Sequence, residues 1–243
     1  MNRSTDASLW WNMAGIVAAY QPIGAPGPLM ARVNMARGGT NRLRATDGTA
    51  PDWSAARGWV FTAASSQYLK TGILTSTNHT IITAFAGMAN QDGGGLVGDA
   101  WQGFSPRYYG IRHYHGASGE DMAAGSGVAS GVMAVSPSGG YYNGVLETTG
   151  YVMATLGRMI LIGCLGSNSA GAPSAIYATA DVRAVAIYDV TLSAVQVRDA
   201  SRQMAYCDSN PDWSVWSTPK LMPMRYYPAT PANHRNRPLT GVG

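Results

Sequence analysis

The stretch from Asp181 to Tyr206 limits the choice of folds most, because it joins a strand pattern to a helix pattern across a single break. Neighbouring residues of a strand point to opposite faces, so a run that is apolar on both faces is typical of a strand buried between two layers. The first half of this stretch is such a run, with Val185 and Ile187 on one side and four residues on the other: Val182, Ala184, Ala186 and Tyr188.

The second half carries the start signal of a helix. Ser193 and Gln196 have the spacing of a capping box, and Leu192 and Val197 stand at the positions of a hydrophobic staple. Apolar residues then recur at helical spacing, which predicts one face packed on the body of the protein: Val197, Ala200 and Met204. A buried strand followed by a short amphipathic helix is expected to close a compact domain.

Short apolar segments separated by glycine turns precede this stretch. They recur at intervals of roughly 8–15 residues, which predicts a β-sandwich or barrel rather than alternating strands and helices. One of them, Arg107 to His115, alternates throughout and is predicted as a single strand, with one face formed by four side chains: Tyr109, Ile111, His113 and His115.

The closing segment, with Ile187-Tyr188-Asp189 followed by Leu192-Ser193, resembles that of laminin-G-like, concanavalin A-like jelly-roll domains. Three upstream stretches resemble strands of the same family in the same order: Thr80 to Ala89, Tyr141 to Thr149 and Met159 to Gly163. The resemblance implies an all-β sandwich of two antiparallel sheets with one short C-terminal helix. We expect an N-terminal arm over residues 1–14, the jelly-roll domain over 15–207 and a proline-rich extended arm over 208–243.

The first third of the chain resembles one group within that family, the laminin-G-like proteins of tailed bacteriophages. The stretches that carry this resemblance are Gly15 to Pro22, Gly58 to Phe61 and Gln67 to Leu69. It implies a structural, non-enzymatic component of a virion, such as a capsid decoration, tail or fibre protein. The expected location is the virion, after folding in the host cytoplasm, since the N-terminal stretch is not typical of a signal peptide.

Such a protein is expected to bind other virion proteins and copies of itself through its arms. Aromatic and Arg side chains are the usual anchors of permanent interfaces. The candidate contacts are Trp10, Trp11, Trp213, Trp216, Tyr226, Tyr227 and Arg225.

Charge and hydropathy exclude two classes of partner. The formal net charge is only +4 and the 17 basic residues are scattered, so nucleic-acid binding is not indicated. No apolar run is long enough to span a membrane as a helix. Only 12% of residues are charged, which is low for a free surface. That surface is expected either to be covered by partners or to consist of small polar residues.

Enzyme signatures are absent from the sequence. Retaining glucanases of this fold need two carboxylates on one strand, whereas Glu147 has no acidic neighbour at the required spacing and Glu120 lies in a glycine-rich loop. No nucleophile elbow occurs, and Cys164 lies in an apolar run where a thiolate is not favoured. The two cysteines, Cys164 and Cys207, are interpreted as free buried thiols, although a disulfide between them stays open.

Aromatic residues are the best binding candidates, for a lectin-like site that would recognise host-surface glycans. Sugars stack on aromatic rings and bind polar side chains, which points to Trp101, Tyr108, Tyr114, Tyr141, Tyr142 and Asn143. The alternative is that these rings fill the core of the sandwich. No cofactor is expected. Calcium stays open through Asp92 and Asp99, as does a metal at His113 and His115, where ligands beyond the pair are lacking.

Overall fold

A computed structural model describes residues 9–36, 44–45, 50–90, 94–99, 102–115, 121–149 and 157–209. In these residues the chain forms seventeen strands and one α-helix, α1, with two short 3-10 turns at Met30–Arg32 and Ala63–Ser65. The strands are β1 Ile16–Tyr20, β2 Arg44–Ala45, β3 Asp52–Ser54, β4 Gly58–Phe61, β5 Leu69–Leu74, β6 Thr80–Ala86, β7 Val97–Asp99, β8 Gln102–Tyr108, β9 Ile111–His115, β10 Asp121–Ser126, β11 Gly131–Ser136, β12 Gly139–Tyr142, β13 Val145–Thr148, β14 Met159–Ile162, β15 Cys164–Gly166, β16 Pro173–Tyr177 and β17 Ala180–Tyr188; α1 is Ala194–Ser209.

The described strands make two sheets that pack face to face. The first sheet runs β13-β12-β11-β6-β17-β4-β3, and β1 pairs with β17 beside β4. The second runs β10-β9-β8-β7-β14-β5-β2, and β15 and β16 are attached to it at β7. Neighbouring strands are antiparallel except β7 and β15. The predicted all-β sandwich of two antiparallel sheets with one short helix is therefore confirmed.

β17 is the central strand of the first sheet, as its two-sided apolar pattern predicts. It pairs with β6 along its length on one side, and with β1 and β4 on the other. The prediction that Val182 shares a face with Ala184 was wrong. A bulge at Arg183 shifts the register, so Val182 joins Val185 and Ile187 in the core between the sheets.

The helix begins as its capping box predicts. The Ser193 N–H donates to Gln196 Oε1 at 2.9 Å, and the Gln196 N–H donates to Ser193 Oγ at 3.3 Å. The predicted apolar stripe, Val197, Ala200 and Met204, is buried on the outer face of the first sheet. None of the described helices is long and apolar enough to cross a bilayer.

Trp10 and Trp11, which the sequence predicts as assembly contacts of an N-terminal arm, are instead buried within the chain's own body. Both rings lie in an apolar cluster between the first sheet and α1, and Trp10 is fully buried. The Trp10 N–H donates to Gln203 Oε1 at 2.8 Å, and its carbonyl accepts from the Tyr188 hydroxyl at 2.6 Å. The folded body therefore includes residues that were expected to form the N-terminal arm.

The C-terminal limit of the body also differs from the expected one. The helix continues to Ser209, two residues past the predicted boundary. Asp208 forms an ion pair with Arg183 at the bulge of β17. The other candidate contacts of the C-terminal arm lie outside the described residues: Trp213, Trp216, Arg225, Tyr226 and Tyr227.

Candidate functional site

The segment predicted as one strand, Arg107 to His115, is a hairpin. β8 ends at Tyr108 and β9 begins at Ile111, and these two residues oppose each other. Tyr109 and Gly110 between them have φ of +47° and +78°. Two successive positive φ angles are the requirement of a tight type I′ hairpin turn, whose twist matches that of paired strands. The period-2 pattern did not reveal the turn, because side chains on both sides of it are aromatic or apolar.

The hairpin places three aromatic or imidazole rings together on the outer face of the second sheet. Phe104 and Tyr114 oppose each other and belong to the core between the sheets, so His113 points away from that core. The Tyr108 ring centroid lies 4.9 Å from that of His113 and 4.7 Å from that of Tyr109. We call Tyr108, Tyr109, Ile111 and His113 the hairpin aromatic patch.

The patch is open at its tip. Tyr109 is 62% exposed and Ile111 is 38% exposed. Bulky residues rarely adopt the left-handed conformation of Tyr109, and such backbone strain is found most often at functional positions. An exposed tyrosine offers an apolar face and a hydroxyl together, which suits ligands such as sugars that have both apolar and polar edges.

Two of the predicted stacking rings are not available to a ligand. Tyr114 is fully buried between the sheets, and Tyr141 is 1% exposed in the cluster beneath α1. The Tyr141 hydroxyl bonds to Ser138 Oγ at 2.8 Å. The prediction that Tyr114 and Tyr141 contact glycan was therefore wrong, and the alternative that they fill the core holds for these two.

Tyr142 and Asn143 lie at the β12–β13 turn and serve the fold. One face of the Tyr142 ring lies against the Arg112 guanidinium, 4.7 Å from the ring centroid, and its hydroxyl donates to the Ser130 carbonyl. Asn143 has φ of +50°, and its Oδ1 accepts the Val132 N–H at 2.9 Å. Among the predicted aromatic residues, Tyr108 alone joins the patch; Trp101 lies outside the described residues.

Arg112 connects the back of β9 to the first sheet. Its Nε and Nη2 donate to the two carboxylate oxygens of Glu147 in β13, at 3.0 and 2.6 Å, and its Nη1 donates to the Ser126 carbonyl in β10. The Tyr114 hydroxyl also donates to Glu147, at 2.9 Å. Burial, and then the neighbouring carboxylate, raise the pKa of Tyr114 far above its usual range. We call Arg112, Tyr114 and Glu147 the inter-sheet clasp.

Among the described residues, the clasp does not contain the two carboxyl groups of a retaining glycosidase. Glu147 faces a guanidinium, whereas that chemistry needs a second carboxyl group about 5–5.5 Å away. Glu120 lies outside the described residues. Cys164 is buried and free, and burial raises the pKa of its thiol to about 11, which disfavours a thiolate nucleophile.

The Asp99 carboxylate is occupied by hydrogen bonds within the fold. Its side chain is fully buried, with Oδ2 accepting from Thr75 Oγ1 at 2.9 Å and Oδ1 accepting from the Gln102 N–H at 2.6 Å. Asp92 lies outside the described residues, so the question of calcium stays open. Within the described ranges, no three His, Cys, Asp or Glu side chains come together as a metal site, around His113 and His115 or elsewhere.

The sequence interpretation did not include Tyr109 among the candidate binding residues. Its signal is the Tyr-Tyr-Gly order, in which a glycine that tolerates positive φ follows two rings within an otherwise regular strand pattern. Had that turn been recognised, Tyr108 and Ile111 would have been placed opposite each other and on one face with His113.

Comparison with known proteins shows the fold alone. No protein-family model and no curated protein matches the chain. Among solved structures it is similar to Trypanosoma rangeli sialidase in complex with 2,3-difluorosialic acid, with a TM-score of 0.52 and 14% identity over 80% of this chain. The match covers 33% of the sialidase, so this chain spans about a third of that protein.

Two further solved structures match with lower scores. The binding domain of botulinum neurotoxin serotype D/C matches 79% of this chain and 53% of its own, with 9% identity and a TM-score of 0.48. Domain 4 of the arabinanase AbnA from Geobacillus stearothermophilus, in complex with arabinotriose, matches 77% and 98%, with 14% identity and a TM-score of 0.41. The absence of enzymatic activity in this chain stays a prediction.

Proposed function

We propose that this protein is a carbohydrate-binding module whose ligand stacks on the hairpin aromatic patch. The observation that carries the proposal is the turn. It holds an exposed tyrosine, Tyr109, in a costly left-handed conformation beside Tyr108 and His113. Tyrosine presents a large amphipathic contact area with few rotatable bonds, and so it loses little entropy when a ligand orders it.

The fold is consistent with this role. A rigid sandwich presents the hairpin from the edge region of its second sheet, and binding residues are commonly carried on loops held by such a scaffold. The similar sialidase structure contains a sialic-acid derivative, so this architecture occurs in a protein that handles glycans. Fold likeness does not transfer a ligand, and the class of glycan has to come from experiment.

Replacing Tyr108 with Ala is expected to weaken glycan binding about tenfold, since central aromatic contacts commonly contribute 1–2 kcal/mol to affinity. A glycan array would identify a ligand for the wild-type protein, and titration calorimetry would compare the dissociation constants. Tyr206→Ala is the matched control, because Tyr206 is 60% exposed on α1, which covers the outer face of the other sheet. Equal loss in both variants, or no ligand for the wild type, would contradict the proposal.

The module is proposed to act on a bacteriophage particle, as a decoration, tail or fibre component that grips the host surface. The sequence resemblance supports this location. A second observation favours an assembly role. Among the described strands, β13 lies at the edge of the first sheet and exposes 66% of Val145 and 42% of Leu146. Natural edge strands usually avoid apolar side chains because unpaired edges associate.

Deleting residues 210–243 is expected to abolish incorporation into the particle while the body stays folded. Ser209 is the right limit, because removal of Asp208 would also break its ion pair with Arg183. Particle composition by mass spectrometry would measure incorporation, and circular dichroism would measure folding. Full incorporation of the truncated chain would rule out assembly through the C-terminal arm.

A further inference from the structure

The two faces of β9 have different tasks. Ile111 and His113 point outward and belong to the hairpin aromatic patch, whereas Arg112 and Tyr114, which alternate with them, point inward and belong to the inter-sheet clasp. A displacement of β9 therefore moves both sets together. The pose of the patch depends on what holds the inward-facing side chains.

The clasp uses most of the bonding capacity of Arg112. Three of its nitrogens bond to Glu147 and to the Ser126 carbonyl, and the plane of the guanidinium lies against Tyr142. These partners lie on three strands, β10, β12 and β13, so one side chain joins the hairpin to both sheets. The exposed fractions of the two charged side chains are only 13% and 18%.

The two residues that follow β10 support the hairpin turn through hydrogen bonds. The Gly127 N–H donates to the Gly110 carbonyl at 2.6 Å, and the Val128 N–H donates to the Pro106 carbonyl at 2.9 Å. Both donors directly follow β10, whose last residue, Ser126, receives the Arg112 bond. The clasp thus fixes the segment that supports the hairpin turn, as well as β9.

A largely buried ion pair is a poor device for stability alone, because the loss of hydration offsets its attraction and an apolar pair of similar volume often serves as well. A bidentate Arg–carboxylate pair does fix geometry, since its two parallel bonds allow only one orientation. This makes position, more than stability, the property that the clasp supplies.

We infer that Arg112 and Glu147 are positioning residues that hold the hairpin aromatic patch in its binding pose. The inference rests on the proposed glycan-binding function for its effect on affinity. Its effect on the hairpin can be measured without a ligand. A preorganised site binds more tightly because less ordering remains to be done when the ligand arrives.

The central variant replaces the polar groups of the clasp with apolar ones of similar size, Arg112→Met with Tyr114→Phe and Glu147→Leu, so that the hydroxyl that bonds to Glu147 is not left buried without its acceptor. It is expected to retain a melting temperature within about 3 °C of the wild type. Hydrogen exchange of the backbone amides of residues 108–113 is expected to accelerate about tenfold, and glycan affinity to fall about tenfold. Glu147→Gln keeps the shape but leaves the Arg112 charge without its carboxylate, so it should accelerate exchange in the same direction and also lower the melting temperature.

The chain offers a control for position in a second bidentate pair, in which the arginine side chain is 58% exposed. Arg57 Nε and Nη2 donate to the two oxygens of Asp181 at 2.9 and 2.8 Å, between the β3–β4 turn and β17 of the first sheet. Asp181→Asn should leave both the exchange of residues 108–113 and glycan affinity unchanged. If this control accelerates exchange at the hairpin as much as the clasp variant does, the clasp has no special role.

The remaining outcomes separate the two hypotheses. Unchanged hairpin exchange in the triply substituted variant overturns the positioning role, whether or not a glycan binds. Accelerated exchange together with a wild-type protein that binds no glycan supports the positioning role and overturns the proposed function. A parallel fall of melting temperature and affinity in all clasp variants would show that the clasp only stabilises the fold.

Discussion

Replacing Trp10 with Ala is expected to lower the free energy of unfolding by about 3–5 kcal/mol, the usual range for a fully buried large aromatic side chain. Trp10 packs between the first sheet and α1, and its ring centroid lies 5.3 Å from that of Trp11. Loss of the ring would leave a cavity beneath the helix, where the backbone of residue 10 also bonds to Gln203 and Tyr188. Chemical denaturation followed by tryptophan fluorescence and circular dichroism would measure the change.

Tyr206→Ala is the control for this measurement too, because a residue that is 60% exposed should change stability by less than about 0.5 kcal/mol. A loss below about 1 kcal/mol for Trp10→Ala would mean that the N-terminal segment does not pack as described. The original expectation, that Trp10 anchors a neighbouring subunit, would then return. A core residue stabilises the isolated monomer, whereas an assembly contact stabilises only the assembled protein. The effect of Trp10→Ala on the monomer therefore distinguishes the two interpretations.

The strand and helix of residues 181–206 could be predicted because their signals are local. The Ser193–Gln196 box and the apolar stripe after it need no knowledge of the rest of the chain. The bulge at Arg183 could not be predicted, because a bulge arises where β17 changes its register against β6. The same limit explains why the burial of Trp10 could not be predicted, because its neighbours in the sequence do not indicate which surface covers it.

The aromatic candidates show why a binding site is harder to predict than a fold. Tyr108, Tyr114 and Tyr141 have the same chemistry and similar local sequence, yet one lies at a surface patch and two are buried. The buried Tyr114 hydroxyl bonds to Glu147, 33 residues away along the chain. Burial of Tyr141 depends on α1, more than fifty residues away. Exposure is therefore decided by long-range packing, which a single sequence does not encode locally.

Replacing Tyr109 with Asn is expected to weaken glycan binding about thirtyfold, which corresponds to about 2 kcal/mol, with little change in stability. Asn is favoured in the left-handed positions of a type I′ turn, so the substitution removes roughly 1 kcal/mol of backbone strain. It also removes the edge-to-face contact with the Tyr108 ring, worth about 0.5–1.5 kcal/mol. These two effects nearly cancel, so the free energy of unfolding should stay within about 1 kcal/mol.

Tyr109→Phe distinguishes the contribution of the ring from that of the hydroxyl, because it keeps the aromatic face and the backbone strain and removes the hydroxyl. It should bind the ligand within about threefold of the wild type if stacking dominates. A residue selected only to form a turn would give the opposite pattern, since Asn would then improve stability and leave binding unchanged. A strained, exposed tyrosine is explained by function only if the better turn residue, Asn, proves the worse binder, and titration of the three proteins against one array-identified glycan decides that question.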